Sequence, residues 1–198
     1  FYKALRNLPE IYLEPSTVTT VLVYKTRNRS YGEVGGVEVE MREVLWGDEV
    51  NPRLWGYFNV TLSESGSRFW KAFRDPYNNR LQGQAPYVVN AGVVSRLSEK
   101  WEIGSFFNYT GPQIWIIGFD RTIYPHVVEG SRAFWEAQVS RRLGRWEVRL
   151  SVWDILNQPY RRLQRAGNLA RASQDQIAVR SYQREEWRFY LTVRYRVF

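Results

Sequence analysis

The chain has 198 residues, a formal charge of +8, a single histidine and no cysteine. Disulfide frameworks, thiolate zinc sites and cysteine nucleophiles are excluded, and a zinc hydrolase or Ser-His-Asp enzyme would rest wholly on His126. No apolar run is long enough for a spanning helix, but a membrane strand needs only about ten residues and half of them can be polar, so low mean hydropathy does not exclude a membrane barrel.

Taken in chain order, the dominant signal is period-two alternation, which separates two faces only in a strand. A first strand begins at Phe1. A second runs from about Thr20 to Leu45, with a bulge expected near Gly35-Gly36; in it Val37, Val39 and Met41 oppose Glu38, Glu40 and Arg42. In the third, Leu54, Phe58, Val60 and Leu62 oppose Trp55, Tyr57, Asn59 and Thr61. The fourth sets Tyr87, Val89, Ala91, Val93 and Leu97 against Asn90, Gly92 and Arg96. The fifth sets Trp101, Ile103, Phe107 and Tyr109 against Glu102, Gly104 and Asn108. In the sixth, Trp135, Ala137, Val139 and Leu143 oppose Glu136, Gln138, Ser140 and Arg142. In the seventh, Trp146, Val148, Leu150 and Val152 oppose Glu147, Arg149, Ser151 and Trp153. The eighth is the most regular: Trp187, Phe189, Leu191, Val193, Tyr195 and Val197 on one side, Arg188, Tyr190, Thr192, Arg194 and Arg196 on the other.

Three features favour an antiparallel transmembrane β-barrel over a soluble sandwich. Connections alternate in length: Ser98-Glu99, Gly144 and Trp46 to Pro52 are short, whereas Ser65 to Gly83, Gly118 to Gly130 and Leu156 to Gln183 are long. Aromatics stand at strand ends, at Trp101, Trp146, Trp187 and Tyr109, where interfacial girdles belong. The polar face carries large charged residues in nearly every strand, whereas a small soluble barrel would fill its interior with apolar side chains. No segment shows a helical period. The start Phe1-Tyr2-Lys3 has no initiator Met and no signal peptide follows, which for an exported protein reads as a segment cut from a longer chain.

Several stretches resemble the C-terminal half of the TonB-dependent receptor barrel. Tyr31-Gly32-Glu33-Val34-Gly35-Gly36-Val37-Glu38-Val39-Glu40 is similar to the family's Gly-Val-Glu-hydrophobic-Glu strand. Leu81-Gln82-Gly83-Gln84-Ala85-Pro86-Tyr87-Val88-Val89-Asn90-Ala91-Gly92 resembles its GQxPYxxNxG loop-to-strand approach. Tyr124 to Glu129 with Ser131-Arg132 looks like its P-D-x-x-E-x-x-R segment, with His126 in place of Asp. Asp154-Ile155-Leu156-Asn157 resembles the end of its penultimate strand, and the chain closes on Tyr195-Arg196-Val197-Phe198, with Phe198 on the even phase. The resemblance implies that residues 1–198 are about the last eight strands of a 22-stranded barrel whose plug domain and TonB-contacting segment lie outside this chain. It implies residence in the Gram-negative outer membrane and contact with lipid and lipopolysaccharide. It also implies energised ligand uptake with no enzymatic activity and no cofactor. The alternative is an outer-membrane wall that scaffolds a surface lipoprotein or complex without transporting anything.

Candidate chemistry is sparse. Glu38 and Glu40 share a face and could act as acid and base, but lumen carboxylates paired with arginines of neighbouring strands are the simpler reading. The stretch from Leu156 to Glu186 holds Arg161, Arg162, Arg165, Arg171, Arg180 and Arg184, residues suited to forked recognition of carboxylate or phosphate groups. Arg161, Arg162 and Arg165, with the lumen-facing aromatics Trp153, Trp55 and Tyr57, are the candidate ligand contacts; Tyr190 shares that face. Solvated loop residues and packing against a plug are the simpler alternatives. The sequons at Asn59 and Asn108 lie inside strands, so glycosylation is discounted. A nucleic-acid-binding role is disfavoured because the basic residues are scattered and form no single aromatic-interleaved sheet face.

Overall fold

A computed structural model describes residues 1–15, 22–66, 80–118, 127–166, 176–183 and 187–197; His126 and Phe198 lie outside them. Among the described residues there are twelve strands and no helix. They are β1 (Tyr2–Pro15), β2 (Leu22–Gly47), β3 (Pro52–Gly66), β4 (Tyr87–Arg96), β5 (Trp101–Thr110), β6 (Gln113–Gly118), β7 (Val127–Glu129), β8 (Arg132–Leu143), β9 (Trp146–Trp153), β10 (Tyr160–Ala166), β11 (Gln176–Gln183) and β12 (Arg188–Tyr195).

Eight of these form an antiparallel wall in the order β1-β2-β3-β4-β5-β8-β9-β12, and they are the eight strands that the sequence reading predicts. Directly opposed residues in antiparallel strands share a face. Met41 faces Phe58, Phe58 faces Ala91, Ala91 faces Phe107, and Phe107 faces Trp135. Further along, Val139 faces Leu150 and Leu150 faces Leu191. One mainly apolar phase therefore runs from β2 to β12, with Glu43, Glu64 and Arg141 as its charged positions. Its apolar side chains are exposed: Leu191 by 70%, Phe189 by 65% and Val37 by 63%. The opposite phase is mostly polar, with aromatic groups at Trp55, Tyr57, Phe106 and Trp153.

Tight turns close one end of the wall. Gly144 has φ +60°, the left-handed conformation that the two-residue β8–β9 hairpin requires. The Asp48 carboxylate accepts the Asn51 N–H at 2.6 Å, and Ser98 Oγ accepts the Trp101 N–H at 3.2 Å. The sequence reading places a bulge at Gly35-Gly36, but pairing there is continuous on both sides. The register shifts instead fall between Val44 and Gly47, beside the β2–β3 turn. Gly36 is small for another reason: a Cβ there would lie 2.3 Å from the Leu62 carbonyl oxygen.

At the other end the expected long loops are partly sheet. The stretches Gly118 to Gly130 and Leu156 to Gln183, read as loops, carry all or part of β6, β7, β10 and β11. These four strands pair in the order β11-β10-β7-β6, and β6 joins β1 in parallel through Tyr12↔Ile117 and Leu13↔Gly118. β5 stands four strands from β1, about 19 Å across the wall. The loop sheet bridges that span over the polar face. Leu81 lies against Gly32, a polar-phase position, and Gln113 and Glu129 share a cavity with Asn108 and Thr110.

The most deeply buried apolar residues belong to this roof, not to the wall. Ile116 (2% exposed) and Val127 (1% exposed) form its core with Trp115 packed on them. The segment 80–86 locks onto it: Gly83 N–H donates to the Ile114 carbonyl at 2.9 Å, and the Gln82 side chain bonds the Trp115 carbonyl. Gln82 also accepts the Ile11 N–H at 2.7 Å, fastening the roof to β1. Ile116→Ala is expected to destabilise the roof by about 2–4 kcal/mol. Hydrogen exchange should then quicken in β6, β7 and β10 while β4, β5 and β9 keep their protection; a uniform change would contradict a separately packed roof.

Candidate functional site

Across the middle of the polar face runs a ladder of side-chain amides. The Asn59 amide donates to Glu38 at 2.7 Å, Asn90 donates to Asn59 at 3.2 Å, and Asn108 donates to Asn90 at 2.6 Å. Thr110 Oγ1 ends the series by donating to Asn108 Oδ1 at 3.1 Å. The register causes this, since Asn59, Asn90 and Asn108 stand directly opposite one another on β3, β4 and β5. Each amide donates one way and accepts the other way, so the chain of dipoles is polarised along the row. Sequence reasoning placed all three asparagines on the polar phase and weighed Asn59 and Asn108 as sequons; what it lacked was the cross-strand register that sets them in one row.

Towards the short turns the same face is crowded with cations. Arg96, Arg142, Arg149 and Arg194 line a cavity of about 190 Å³ together with Glu102 and Glu147. Arg149 bonds Glu147 at 3.1 Å, and Arg196 approaches the same carboxylate at 3.9 Å. Arg96 donates to Asn51 at 2.6 Å. Glu38 and Glu40 were expected to pair with arginines of neighbouring strands. Glu38 instead takes Asn59 on β3, and Glu40 takes Arg42 at 2.6 Å on its own strand, because Asn59 and Tyr57 occupy the positions opposite Glu40 and Arg42.

Towards the long connections the wall meets the roof. Arg132 and Asp154 form an ion pair, with the carboxylate side chain only 4% exposed. Ala133 N–H donates to Gln158 Oε1 at 3.1 Å, and Ile155 N–H donates to the Trp135 carbonyl at 2.9 Å. Asp154 and Asn157 both have positive φ, and Asn157 N–H closes a turn onto the Asp154 carbonyl at 2.9 Å. Two of the family-like segments, one ending at Arg132 and one beginning at Asp154, thus meet in a single contact. A third is pinned beside β3: Gln84 Nε2 donates to Ser63 Oγ at 2.7 Å, and Ser63 N–H donates to the Pro86 carbonyl at 2.8 Å.

The six sequence-predicted contacts fall in three separate places. Trp55 and Tyr57 sit on the polar face of β3; Tyr57 lies over Gly92, where a Cβ would come within 2.3 Å of its ring, and faces Phe106 at 6.3 Å. Trp153 belongs to a different aromatic group, edge-on to Phe134 at 5.1 Å and to Tyr190 at 5.8 Å. Arg161, Arg162 and Arg165 lie in β10. Arg162 is stacked 3.7 Å above Trp115 and bonds Glu129 at 3.0 Å, which ties β10 to β6 and β7. Arg161 is exposed, its carbonyl accepting the Gly130 N–H at 2.8 Å. The Arg165 side chain lies outside the described residues, as do Arg171 and Arg184. No cluster of His, Cys, Asp or Glu able to hold a metal ion occurs among the described residues.

No protein-family model matches the sequence, and no curated protein sequence matches it. Solved structures do. The chain is similar to the ferric enterobactin receptor PfeA from Pseudomonas aeruginosa, with a TM-score of 0.59 at 16% identity over 97% of this chain and 27% of that one. It is similar to the copper transporter OprC, with a TM-score of 0.58 at 12% identity over 97% of this chain and 28% of that one. The ferric yersiniabactin uptake receptor FyuA from Yersinia pestis gives a TM-score of 0.55 at 15% identity over 97% of this chain and 25% of that one. At these identities the likeness is one of fold: the wall has the fold of a TonB-dependent receptor barrel. The chain spans about a quarter of the length of the structures it matches.

Removing the carboxylate that faces a mostly buried guanidinium costs about 3–5 kcal/mol. Asp154→Ala is therefore expected to lower the unfolding free energy of the folded chain, measured by denaturant titration, by an amount in that range. Asn90→Ala, in the half-buried ladder, is expected to cost only on the order of 1 kcal/mol. The reverse ranking would contradict the assignment of the Arg132–Asp154 contact as the stronger fastening.

Proposed function

We propose that this chain is part of the wall of an outer-membrane barrel that takes up a ligand across the Gram-negative outer membrane in the manner of TonB-dependent transporters. The observation that carries the reading is the exposed, mainly apolar phase from β2 to β12, backed by a mainly polar one. In lipid every backbone polar group needs a partner within the protein, which antiparallel pairing supplies. The apolar phase meets acyl chains and the polar phase lines the lumen. Short turns mark the periplasmic end and the long connections mark the cell exterior, where lipopolysaccharide lies.

The fold likeness to two ferric-siderophore receptors and a copper transporter supports an uptake role. On this reading the remaining strands, the plug and the TonB-contacting segment belong to parts of the protein beyond this chain. The ladder and the arginine-rich end of the polar face are the surfaces that the plug packs against. Arg161, Arg165 and the Trp153 group, near the outer mouth, are the ligand-side contacts. Arg162 holds the roof in shape behind them. Nothing in this arrangement calls for catalysis.

The reading is tested by fractionation of the full chain. It is expected in the outer-membrane fraction, to need detergent for extraction, and to migrate differently before and after boiling. The full-length protein, which on this reading carries the TonB-contacting segment, should also capture the periplasmic domain of TonB in a pull-down. A sharper test uses one substitution on each face. Leu150→Lys, in mid-belt between Val139 and Leu191, is expected to destabilise the barrel in lipid by about 2–4 kcal/mol. Gln138→Lys, on the polar face near Glu136, should change it by less than about 1 kcal/mol. Equal effects, or a protein soluble without detergent, would overturn the assignment of the two faces.

A further inference from the structure

Charges are few on the outward phase: Glu43 and Glu64 stand near the ends of β2 and β3, and one cation lies further along the wall. Among the outward positions of β4, β5, β8, β9 and β12, Arg141 is the one charged residue. It stands opposite Trp101 on β5 and Val148 on β9, so its phase is fixed by pairing on both sides. Its side chain is exposed, and its guanidinium lies 4.9 Å from the centre of the Trp101 ring. The nearby carboxylates Glu99, Glu102 and Glu147 line the cavity on the opposite face of the wall. No ion pair to Arg141 occurs among the described residues.

Its depth is equally specific. Arg141 lies two residues before Leu143, where the β8–β9 turn begins, so it is about 7 Å from the end of the strand. Trp101, Trp146 and Tyr195 stand at the same end, the last two with rings 4.7 Å apart. A cation on a lipid-facing surface is costly at the midplane and tolerable near the interface, where it reaches the headgroups. A cation–π contact with the indole holds the guanidinium at this depth without using its N–H donors, and a phosphate is an anion that matches a guanidinium fork.

We propose that Arg141 and Trp101 form a binding site for the phosphate of a glycerophospholipid in the leaflet at the short-turn end. The acyl chains lie along Val148, Leu150 and Ile103, and the headgroup phosphate takes the guanidinium fork. The proposal rests on the reading that the apolar phase meets lipid. It adds a specific lipid partner where that reading supplies only solvent-like acyl chains.

The test uses the full chain in neutral detergent, titrated with phosphatidylglycerol or with diacylglycerol, which has no phosphate. Retained lipid is read by native mass spectrometry. The unmodified protein is expected to retain phosphatidylglycerol over diacylglycerol. Arg141→Gln should weaken phosphatidylglycerol retention by about tenfold and abolish the preference. Equal retention by the two proteins, or equal retention of the two lipids by the unmodified protein, overturns the proposal. Should Arg141→Gln lose its mobility shift on boiling, Trp101→Leu removes the indole ring and keeps the charge; it should weaken retention severalfold, and unchanged retention overturns the site. An unmodified protein that needs no detergent and shows no such shift brings down the barrel reading itself.

Discussion

The cross-strand register is the constraint on which everything else depends. Six successive antiparallel pairings, from β2 to β12, keep apolar residues opposite apolar residues across most of the wall. A slip of one residue in the β8–β9 pair alone would move Glu147 and Arg149 onto the face that carries Leu150 and Val152. The turns guard against this. Gly144 fixes a two-residue hairpin, and Ser98 and Asp48 close the other two short connections with their own side chains. The irregularity between Val44 and Gly47 is placed where it does least harm, beyond the last paired belt residues of β2 and β3.

With the register set, the polar face follows. Three asparagines on adjacent strands fall in one row and satisfy one another, so no external group is needed to keep the middle of that face hydrogen-bonded. The turn end is different. Arg96, Arg142, Arg149, Arg194 and Arg196 outnumber the carboxylates of Glu99, Glu102 and Glu147 in one cavity, and Arg149 Nε is buried without a hydrogen-bond partner among the described residues. Such an excess of guanidinium suits a surface that meets a partner domain better than one complete in itself. The two ends of one face thus differ in kind although the same alternation produced them.

How much of this was legible in the sequence follows from how each element is buried. Seven of the eight wall strands are amphipathic, so alternation revealed them and their phase; β1 reads only as a strand beginning at Phe1, with no phase assigned. The roof strands are not amphipathic. Gln113-Ile114-Trp115-Ile116-Ile117-Gly118 is apolar on both sides because it is covered on both sides, and a short continuous apolar run carries no period. Val127-Val128-Glu129 is too short to show one. Tyr160 to Ala166 holds three arginines and reads as a solvated loop; only the stack of Arg162 on Trp115 and its bond to Glu129 make it a strand of the roof. The candidate contacts Trp153, Trp55 and Tyr57 were placed on the correct face, but their separation into two groups depends on strand order, which alternation does not encode. The family-like segments marked a fastening that local pattern could not: Arg132 and Asp154 are 22 positions apart, with the β8–β9 hairpin between them.

The distribution of apolar burial is the reverse of that in a soluble sheet protein, and it assigns different sources of stability to the two parts. The roof has an ordinary dry core in Ile116 and Val127, small but closed, and it folds against β1 through backbone and amide bonds that do not depend on the surrounding medium. The wall has no such core. Leu191, Phe189, Leu150 and Met41 gain little from one another in water because each remains largely exposed after the strands have paired. Their burial must come from outside the chain, and a hydrocarbon layer is the surroundings that would bury them all at once without a partner shaped to each. The same surroundings make the backbone ladder obligatory, since an unpaired amide there has no water to turn to. On the proposed reading, a wall that gains little from its own packing in water is stabilised in lipid for both reasons together, whereas the roof is packed around a core of its own.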